Sequence, residues 1–308
     1  MIYKRDDIAN YLIKESQKKD EASSSYWDEQ HQNFQFHENS FSGTGPIGSY
    51  RHSSKVINLV HRVFQRKFVR MGEAFSKFQQ IDLLANDIVK KQRRVYDLDV
   101  MRHTLSVSFV EQYCTDLPSP KERVACVIGD GYAMATSLLL GLNTSKVILI
   151  NLTKTLLIDT LFLKKFLGEK GFNDSVSLVT DRESLDECVC DQSTKVVVIE
   201  AKNQDLLKYC DIDLAVNIAS MQEMDLETID QYFSNLKNIS GKKLYFYCCN
   251  REEKVLPDGS VIRFLDYPWS GSAIVKDSFC PWYQDFYRKT PPFWQSYDGQ
   301  IRHRIVKL

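Results

Sequence analysis

The chain has 308 residues, and its 40 Lys and Arg residues balance 40 Asp and Glu residues, so the formal net charge is zero. This balance argues against a nucleic-acid or membrane-surface partner, because neither finds an excess of basic residues to bind. A hydrophobic content of 43% is enough for a sizeable core, and the length predicts one large domain or two ordinary ones. No signal peptide and no apolar run of roughly 18 residues is visible, which predicts a cytoplasmic protein without membrane insertion.

The first part of the chain is predicted to be mostly helical. Three stretches carry apolar residues at helical spacing: 1 to about 20, 53 to about 92, and about 101–112. The second of them is expected to break at Gly72. Leu117-Pro-Ser-Pro120 then interrupts the chain. We therefore place a domain boundary there, with residues 1–118 before it and 119–308 after it.

Residues 21–53 are polar and include the glycine-rich segment Phe41-Ser-Gly-Thr-Gly-Pro-Ile-Gly48, which predicts a loop. A loop of this length is usually functional or disordered. Its aromatic residues favour a functional loop, because disordered segments are poor in aromatic side chains.

After residue 119 the pattern changes to strands that alternate with helices. The predicted strands cover 124–128, 146–150, 176–179, 195–199, 213–218, 243–249 and 301–308. Such alternation indicates βαβ units and a mostly parallel sheet, and continuous apolar strands suit a sheet buried on both faces. The predicted fold class is therefore α/β.

The first of these strands runs into Gly129-Asp130-Gly131 and then into a predicted helix. A tight glycine turn between a strand and a helix places main-chain N–H groups and a helix N-terminus beside a ligand. The dinucleotide fingerprint would need a third glycine where this chain has Met134. The alternative reading is a glycine turn that only packs the helix on the strand.

Two later strands end in polar side chains at the same predicted edge of the sheet. Asn151 follows the second strand, where a ribose would bind, although it would also suit a position near a helix N-cap. Asn217 ends another strand and precedes Ser220 and Glu223. Glu223 could act as a general base, but Ser220 and Glu223 also have the spacing of a helix capping box.

The eight cysteines form no C-x-x-C pair, and no group of His and carboxylate residues has the spacing of metal ligands. We therefore predict no metal site.

Five segments stand out together: 127–131, 150–156, 217–224, 247–254 and 266–269. This set resembles the sugar O-methyltransferase family of bacterial polysaccharide gene clusters. Trp27-Asp28 and the segment 41–48 also resemble the N-terminal region of that family, so the resemblance runs from about residue 25 to the end of the chain. It implies a Rossmann-like class I methyltransferase sheet, mostly parallel with an antiparallel C-terminal strand, and an N-terminal helical lid.

The resemblance also implies a cofactor, S-adenosyl-L-methionine, and residues that bind it. The loop after the first strand would approach the methionine part of the cofactor through Gly129, Asp130 and Gly131. The ribose and adenine would lie against Asn151 and Leu152, and Glu200 and Ala201 would flank the adenine. Asn217 and Ser220 would line the boundary between cofactor and acceptor. An acidic residue is commoner at the ribose position, and Asn151 departs from that pattern.

The expected reaction is methyl transfer to a hydroxyl of a sugar, in a nucleotide sugar or a surface-glycan residue. Because such a hydroxyl has a high pKa, a base should assist the transfer. We nominate Glu223 first, His103 second and His52 third. Residues 1–118 would form a lid and an acceptor pocket that exclude water from the site.

Two other classes of function stay open. One is an NAD(P)-dependent oxidoreductase, which the missing third glycine and the missing acid after the second strand disfavour. The other is a non-catalytic protein with a cofactor fold that acts as a partner in glycan assembly. The expected ligand is a small-molecule or glycan acceptor. The sequence does not decide the acceptor, the hydroxyl position or whether the chain forms a homo-oligomer.

Overall fold

A computed structural model describes residues 1–37, 40–47, 55–239, 244–288 and 291–308. Its helices are α1 (Asp6–Glu15), α2 (Ser25–Gln30), α3 (Lys55–Phe64), α4 (Arg66–Gly72), α5 (Phe78–Lys91), α6 (Leu98–Tyr113), α7 (Met134–Gly141), α8 (Thr153–Ser175), α9 (Arg182–Cys190) and α10 (Leu226–Lys237). Its strands are β1 (Ile2–Lys4), β2 (Gln35–His37), β3 (Ser40–Ser42), β4 (Val124–Ile128), β5 (Lys146–Asn151), β6 (Val176–Val179), β7 (Val196–Glu200), β8 (Leu214–Ile218), β9 (Tyr245–Arg251), β10 (Glu253–Val255), β11 (Val261–Arg263), β12 (Ala273–Phe279), β13 (Asp285–Tyr287), β14 (Trp294–Ser296) and β15 (Ile301–Lys307).

The central sheet has the strand order β1-β6-β7-β5-β4-β8-β9-β15-β12. The six strands from β6 to β9 in this order are parallel, and β15 runs antiparallel beside β9. The predicted α/β class, with a mostly parallel, Rossmann-like sheet and an antiparallel C-terminal strand, is therefore confirmed. The chain winds from β4 outward through β5 and later returns to place β8 on the other side of β4. The order of winding thus reverses between β4 and β8.

The parallel strands are apolar because helices cover both faces of the sheet. Along β4, Ala125 and Val127 join a core shared with α5, α6 and α7, whereas Cys126 and Ile128 join a core shared with α9 and α10. Alternate residues of a strand point to opposite faces, so each strand must supply apolar side chains to both cores. The continuous apolar pattern of the strands therefore correctly predicted a sheet that is buried on both faces.

Helices α5 and α6 precede the boundary that we expected near residue 118, and they share the first of these cores with the sheet. Ile81 of α5 and Met101 and Leu105 of α6 are fully buried with Val127 of β4. These helices are integral to the sheet's packing. The division into regions 1–118 and 119–308 remains a prediction.

Two expectations for the N-terminal part are wrong in detail. The segment 1–20 is not uniformly helical, because β1 pairs antiparallel with the edge strand β6 before α1 begins. Helical spacing cannot reveal this pairing, since it uses main-chain groups of a distant strand. The predicted loop 21–53 contains α2 and the β2–β3 hairpin, built around Trp27 and Phe34. The last part of the glycine-rich segment, including Gly48, lies outside the described residues.

The glycine break predicted at Gly72 is found, because helix α4 ends there. A second glycine, Gly168, interrupts α8 with a φ of 74°. Beyond that kink α8 continues to Ser175.

Candidate functional site

A cavity opens at the carboxyl ends of the parallel strands, beside the point where the winding order reverses. Gly129 after β4, Asn151 at the end of β5, Ala201 after β7 and Ile218 at the end of β8 all line it. In open α/β sheets this crevice is the usual place for a ligand, because neighbouring loops diverge there. The topology alone therefore makes this cavity the candidate site.

Most of the residues predicted for the site line this cavity. They are His103, Gly129, Asp130, Gly131, Asn151, Leu152, Ala201, Ser220 and Glu223. Glu200 and Asn217 do not line it. The remaining candidate, His52, lies outside the described residues. We call the group formed by residues 129–133, Asn151 and Asp159 the loop end of the cavity, and the group formed by Asp99, Arg102, His103, Tyr283 and Tyr297 the histidine end.

The loop that follows β4 has an unusual backbone. Gly129, Gly131, Tyr132 and Ala133 all have positive φ, at 69°, 75°, 58° and 50°. Tyr132 and Ala133 are strained there, because side chains with a Cβ atom disfavour the left-handed region. At Gly129 a Cβ atom would lie 2.2 Å from Oγ of Ser220, so only glycine fits. Such strain is typical of a loop that is shaped for a ligand.

Asp130 closes the N-terminus of α7. Its Oδ1 accepts the main-chain N–H of Ala135 at 2.9 Å, and its Oδ2 accepts that of Thr136 at 2.7 Å. These amides would otherwise be the unpaired donors of a helix start, which attract phosphate groups. The protein's own carboxylate occupies them, and because this side chain is fully buried, it places a negative charge at the helix start, within the wall of the cavity.

Asp159 on α8 completes the loop end, and the sequence analysis did not single it out. Its side chain is fully buried. It accepts the main-chain N–H of Ala133 at 2.9 Å and Nδ2–H of Asn151 at 2.8 Å. Burial and the nearby Asp130 carboxylate raise the pKa of Asp159, while its hydrogen-bond donors act in the opposite direction. A carboxylate within the largely apolar stretch 156–162 was the available signal.

Asn217 and Ser220 form a bracket of hydrogen bonds behind the loop, and Ser220 also lines the cavity. Asn217 donates to the carbonyl of Ile128 at 2.9 Å and accepts from Nδ2 of Asn250 at 2.7 Å. Ser220 also donates to the carbonyl of Ile128, at 3.1 Å. Buried side-chain amides need such partners, and these hold β4, β8 and β9 together at their carboxyl ends.

The capping-box reading of Ser220 and Glu223 is wrong. Residues 221–223 form a short 3₁₀ turn, and the Ser220 side chain does not cap it. Helix α10 begins three residues later, with Asp225 as the N-cap that accepts from the N–H of Thr228. Ser220 is used in the bracket instead, which leaves its hydroxyl directed at Ile128.

Glu200 serves the N-terminal segment and not the cavity. It is fully buried and accepts hydrogen bonds from the hydroxyls of Tyr11, at 2.6 Å, and Thr153, at 2.8 Å. Lys202 lies 3.2 Å from the same carboxylate. Its oxygens are thus engaged with α1 and with the start of α8. Ala201, the next residue, is the one that reaches the cavity.

Glu223 lines the cavity as one half of a buried ion pair. Its Oε1 lies 2.8 Å from Nζ of Lys254, and both side chains are largely buried. Burial raises the pKa of Glu223, and Lys254 partly offsets that shift. The lysine thus makes this carboxylate a weaker proton acceptor than burial alone would make it.

His103 on α6 has a buried ring nitrogen that makes no hydrogen bond to any residue that the structure describes. Its Nδ1 lies 2.9 Å from the carbonyl oxygen of Asp99, which can only accept, so Nδ1 carries the hydrogen in the neutral ring. Its Nε2 is buried, makes no hydrogen bond to the described residues, and lies 3.9 Å from Oδ1 of Asp130. In the neutral ring this nitrogen therefore carries a lone pair without a partner among the described residues, on a side chain that lines the cavity.

The N-terminal segment contributes to the wall of the cavity, and its action as a lid stays a prediction. Ala22, Ser24, Trp27, Gly45 and Ile47 contribute to the lining. Asp20 accepts the N–H of Thr153 at 2.8 Å, and the Ser24 hydroxyl donates to the carbonyl of Glu223. Each of these bonds ties the segment to the carboxyl edge of the sheet.

At the histidine end, the cavity wall includes side chains that the sequence did not single out. Arg102 lies over the ring of Tyr283, at 4.3 Å, and over the ring of Tyr297, at 5.0 Å. It also donates to the carbonyl of Trp282 at 3.2 Å. The arginine thus anchors two aromatic rings from the C-terminal part beside His103. Nothing in the local sequence links α6 to residues so distant along the chain.

Two features are absent from the part of the chain that the structure describes. No group of three or more His, Cys, Asp and Glu side chains among those residues could hold a metal ion. In the same ranges, no helix combines the length and the apolar character that a membrane span requires.

Comparison with family models and with curated proteins gives no match. Among solved structures, the chain is similar to a SAM-dependent methyltransferase from Leishmania major, with 13% identity over 72% of this chain and 82% of that one and a TM-score of 0.39. It is also similar to mitomycin 7-O-methyltransferase, with 8% identity over 67% of this chain and 56% of that one and a TM-score of 0.38. A third is a methyltransferase dependent on S-adenosylmethionine from Mesorhizobium loti, with 12% identity, coverage of 64% and 95%, and a TM-score of 0.35. Likeness at this level does not assign an activity.

Proposed function

We propose that the protein is an S-adenosylmethionine-dependent methyltransferase that methylates a hydroxyl of a sugar, in a nucleotide sugar or a surface-glycan residue. The observation that carries the cofactor assignment is the position of Asp130. Its carboxylate occupies the amides of the α7 N-terminus and adds a negative charge at the glycine turn. This arrangement suits a cationic sulfonium ligand and repels the diphosphate of NAD.

The bound cofactor would supply an activated methyl group on a good leaving group. The protein then has to hold the acceptor in line and to remove its proton. We assign that proton to Nε2 of His103. His103 lines the cavity, its Nε2 has no partner among the described residues, its Nδ1 hydrogen is held by the Asp99 carbonyl, and the nearby Asp130 would stabilise the imidazolium that forms. Glu223 is the weaker candidate, because Lys254 already holds its carboxylate.

The sugar acceptor is supported by the sequence resemblance and by the histidine end of the cavity. Tyr283 and Tyr297 line the cavity wall beside His103. Aromatic rings offer an apolar face and a polar hydroxyl, which suits the mixed surface of a sugar ring. The N-terminal segment over the cavity would exclude water, which protects the reaction from hydrolysis.

The first test is calorimetry with S-adenosylhomocysteine and with NAD, followed by transfer assays with nucleotide sugars. We expect binding of S-adenosylhomocysteine and methyl transfer. Binding of NAD alone would establish the oxidoreductase alternative. Tight binding of S-adenosylhomocysteine without transfer to any glycan or nucleotide sugar would favour the non-catalytic partner.

The second test uses the charge of Asp130. Asp130→Asn should weaken S-adenosylmethionine binding more than S-adenosylhomocysteine binding, by on the order of tenfold, because only the former carries a sulfonium charge. Asp181→Asn is the matched control, since it changes the side-chain cap of α9, which does not line the cavity. Equal weakening of both ligands would mean that Asp130 acts only as a helix cap.

A further inference from the structure

The Asn151 carboxamide is held in one orientation by two partners inside the protein. Its Nδ2 donates to Oδ2 of Asp159 at 2.8 Å, and its Oδ1 accepts the main-chain N–H of Leu152 at 2.9 Å. A carboxylate accepts hydrogen bonds, whereas a main-chain N–H donates, so exchanging the amide nitrogen and oxygen would break both bonds. Within the described part of the chain, one hydrogen on Nδ2 and one lone pair on Oδ1 have no further partner, and Asn151 lines the cavity, so both can serve a ligand there.

Asp159 also holds the other side of the loop end. Its Oδ1 accepts the main-chain N–H of Ala133, which has left-handed backbone geometry, at 2.9 Å. One buried carboxylate therefore ties the strained loop after β4 to the side chain at the end of β5. Movement of Asp159 would disturb both walls of the cavity together.

The identities of residues 151 and 159 depend on each other. If residue 151 were an acid, its carboxylate would face that of Asp159 across the 2.8 Å that the hydrogen bond now spans. Two like charges at that distance in a buried site are strongly unfavourable. An amide at position 151 avoids this repulsion. The negative charge then lies on Asp159, which is further from the ligand than residue 151.

We propose that Asn151 and Asp159 act as a single ribose-binding pair, in which Asn151 contacts the ribose diol and Asp159 is the positioning residue that orients it. This inference rests on the proposed cofactor, which contains the ribose. The pair replaces one acidic ribose ligand by an amide that contacts the sugar and a carboxylate that holds the amide. The two roles can be exchanged, because an amide at position 159 could accept from Ala133 through its oxygen and donate through its nitrogen to a carboxylate at position 151.

The test is a cycle of three variants: Asn151→Asp, Asp159→Asn and the reciprocal double exchange. Affinity for S-adenosylhomocysteine and for its 2′-deoxyribose counterpart is measured by calorimetry, and the melting temperature of each variant is measured alongside. We expect each single change to weaken S-adenosylhomocysteine binding about tenfold or more. The double exchange should restore affinity to within about threefold of the starting protein, because it restores one charge and both hydrogen bonds.

The deoxyribose counterpart separates ribose recognition from simple stability. The starting protein and the double variant should prefer the ribose form, and the single variants should lose that preference. A double variant that binds no better than the weaker single variant, or single variants that keep the ribose preference, would overturn the pair. If the starting protein itself binds no S-adenosylhomocysteine, the proposed function fails as well, so the two failures are distinguishable. If a single variant does not fold and the double variant does, the dependence of the two residues is supported.

Discussion

The two ends of the cavity use their polar side chains in opposite ways. At the loop end, Asp130, Asn151 and Asp159 are engaged with main-chain amides and with each other. At the histidine end, Nε2 of His103 is buried and has no partner among the described residues. Internal hydrogen bonds preorganise a binding surface before the ligand binds. An unsatisfied nitrogen is instead what a reacting hydroxyl requires.

This contrast predicts that damage to the histidine end affects the rate, whereas damage to the loop end affects binding and stability. Three further experiments can break or sharpen the comparison, and we take them from the largest expected effect to the smallest.

Replacing His103 should have the largest effect. We expect His103→Ala to lower kcat by about 10²- to 10⁴-fold, the range typical of losing a general base, with little change in affinity for S-adenosylhomocysteine. His103→Gln is the control variant, because it keeps a polar side chain of similar length but removes the basic nitrogen, and it should be equally slow. If kcat is unchanged in both variants, His103 is not the base. If cofactor affinity falls in parallel with kcat, the two ends of the cavity do not act independently on binding and rate.

Replacing Gly129 tests the loop end by adding a single Cβ atom. In Gly129→Ala that atom would meet Ser220 at 2.2 Å and would sit at a φ of 69°. We expect the free energy of unfolding to fall by about 2–4 kcal/mol, as the sum of overpacking and left-handed strain, and S-adenosylhomocysteine binding to weaken.

Gly259→Ala is the matched control for that change. Gly259 has a φ of 86°, but its added Cβ would meet no atom within 4 Å. It should therefore lose only about 1–2 kcal/mol, from backbone strain, and keep its ligand affinity. Equal losses of stability in the two variants, measured by denaturant unfolding, would show that contact with Ser220 contributes nothing.

The smallest expected effect concerns Glu223 and pH. Because burial raises the pKa of Glu223 above its ordinary value of 4.5, the folded protein binds this proton more tightly than the unfolded chain does. The resulting stabilisation is present below the ordinary pKa and is lost as pH rises towards the folded value. A difference of one between the folded and unfolded pKa values corresponds to about 1.4 kcal/mol of stability.

Glu223→Gln cannot ionise and should lack this pH dependence. The free energy of unfolding of the starting protein relative to the variant should therefore decrease as pH rises from about 4 to 7. Glu227→Gln, which removes an exposed carboxylate from α10, corrects for the general loss of a charge. An increase with pH would show that Lys254, and not burial, dominates the environment of Glu223.

The elements of the sheet could be predicted because their signals are local. The apolar runs of β4, β5, β7 and β8, each followed by a helical pattern, reflect burial on both faces and required no knowledge of distant residues. The glycine turn was equally visible, since a chain that must turn with positive φ at the end of a strand uses glycine there. Most of the residues predicted at the ends of these strands then line the cavity.

The hydrogen-bond partners of those side chains could not be predicted from the same patterns. Glu200 is a polar residue at the end of a strand, as Asn151 is, but its carboxylate accepts hydrogen bonds from Tyr11 and Thr153. Ser220 has the spacing of a capping residue, yet it donates to Ile128 across the sheet. Each outcome depends on a partner that is distant in sequence, and local spacing carries no information on such partners.

By itself, the sequence determined the α/β class, the order of the seven strands β4 to β9 and β15 along the chain, and the glycine turn at the start of the site, because periodicity and turn chemistry depend on neighbouring residues. Only the tertiary structure decided that Asp159 joins Asn151 to the loop, that Asp130 closes the start of α7, and that His103 lines the cavity with a nitrogen that has no partner among the described residues. These facts depend on which donors and acceptors folding brings together. A hydrogen bond reaches only about 3 Å, so it is settled by the packing of the whole chain.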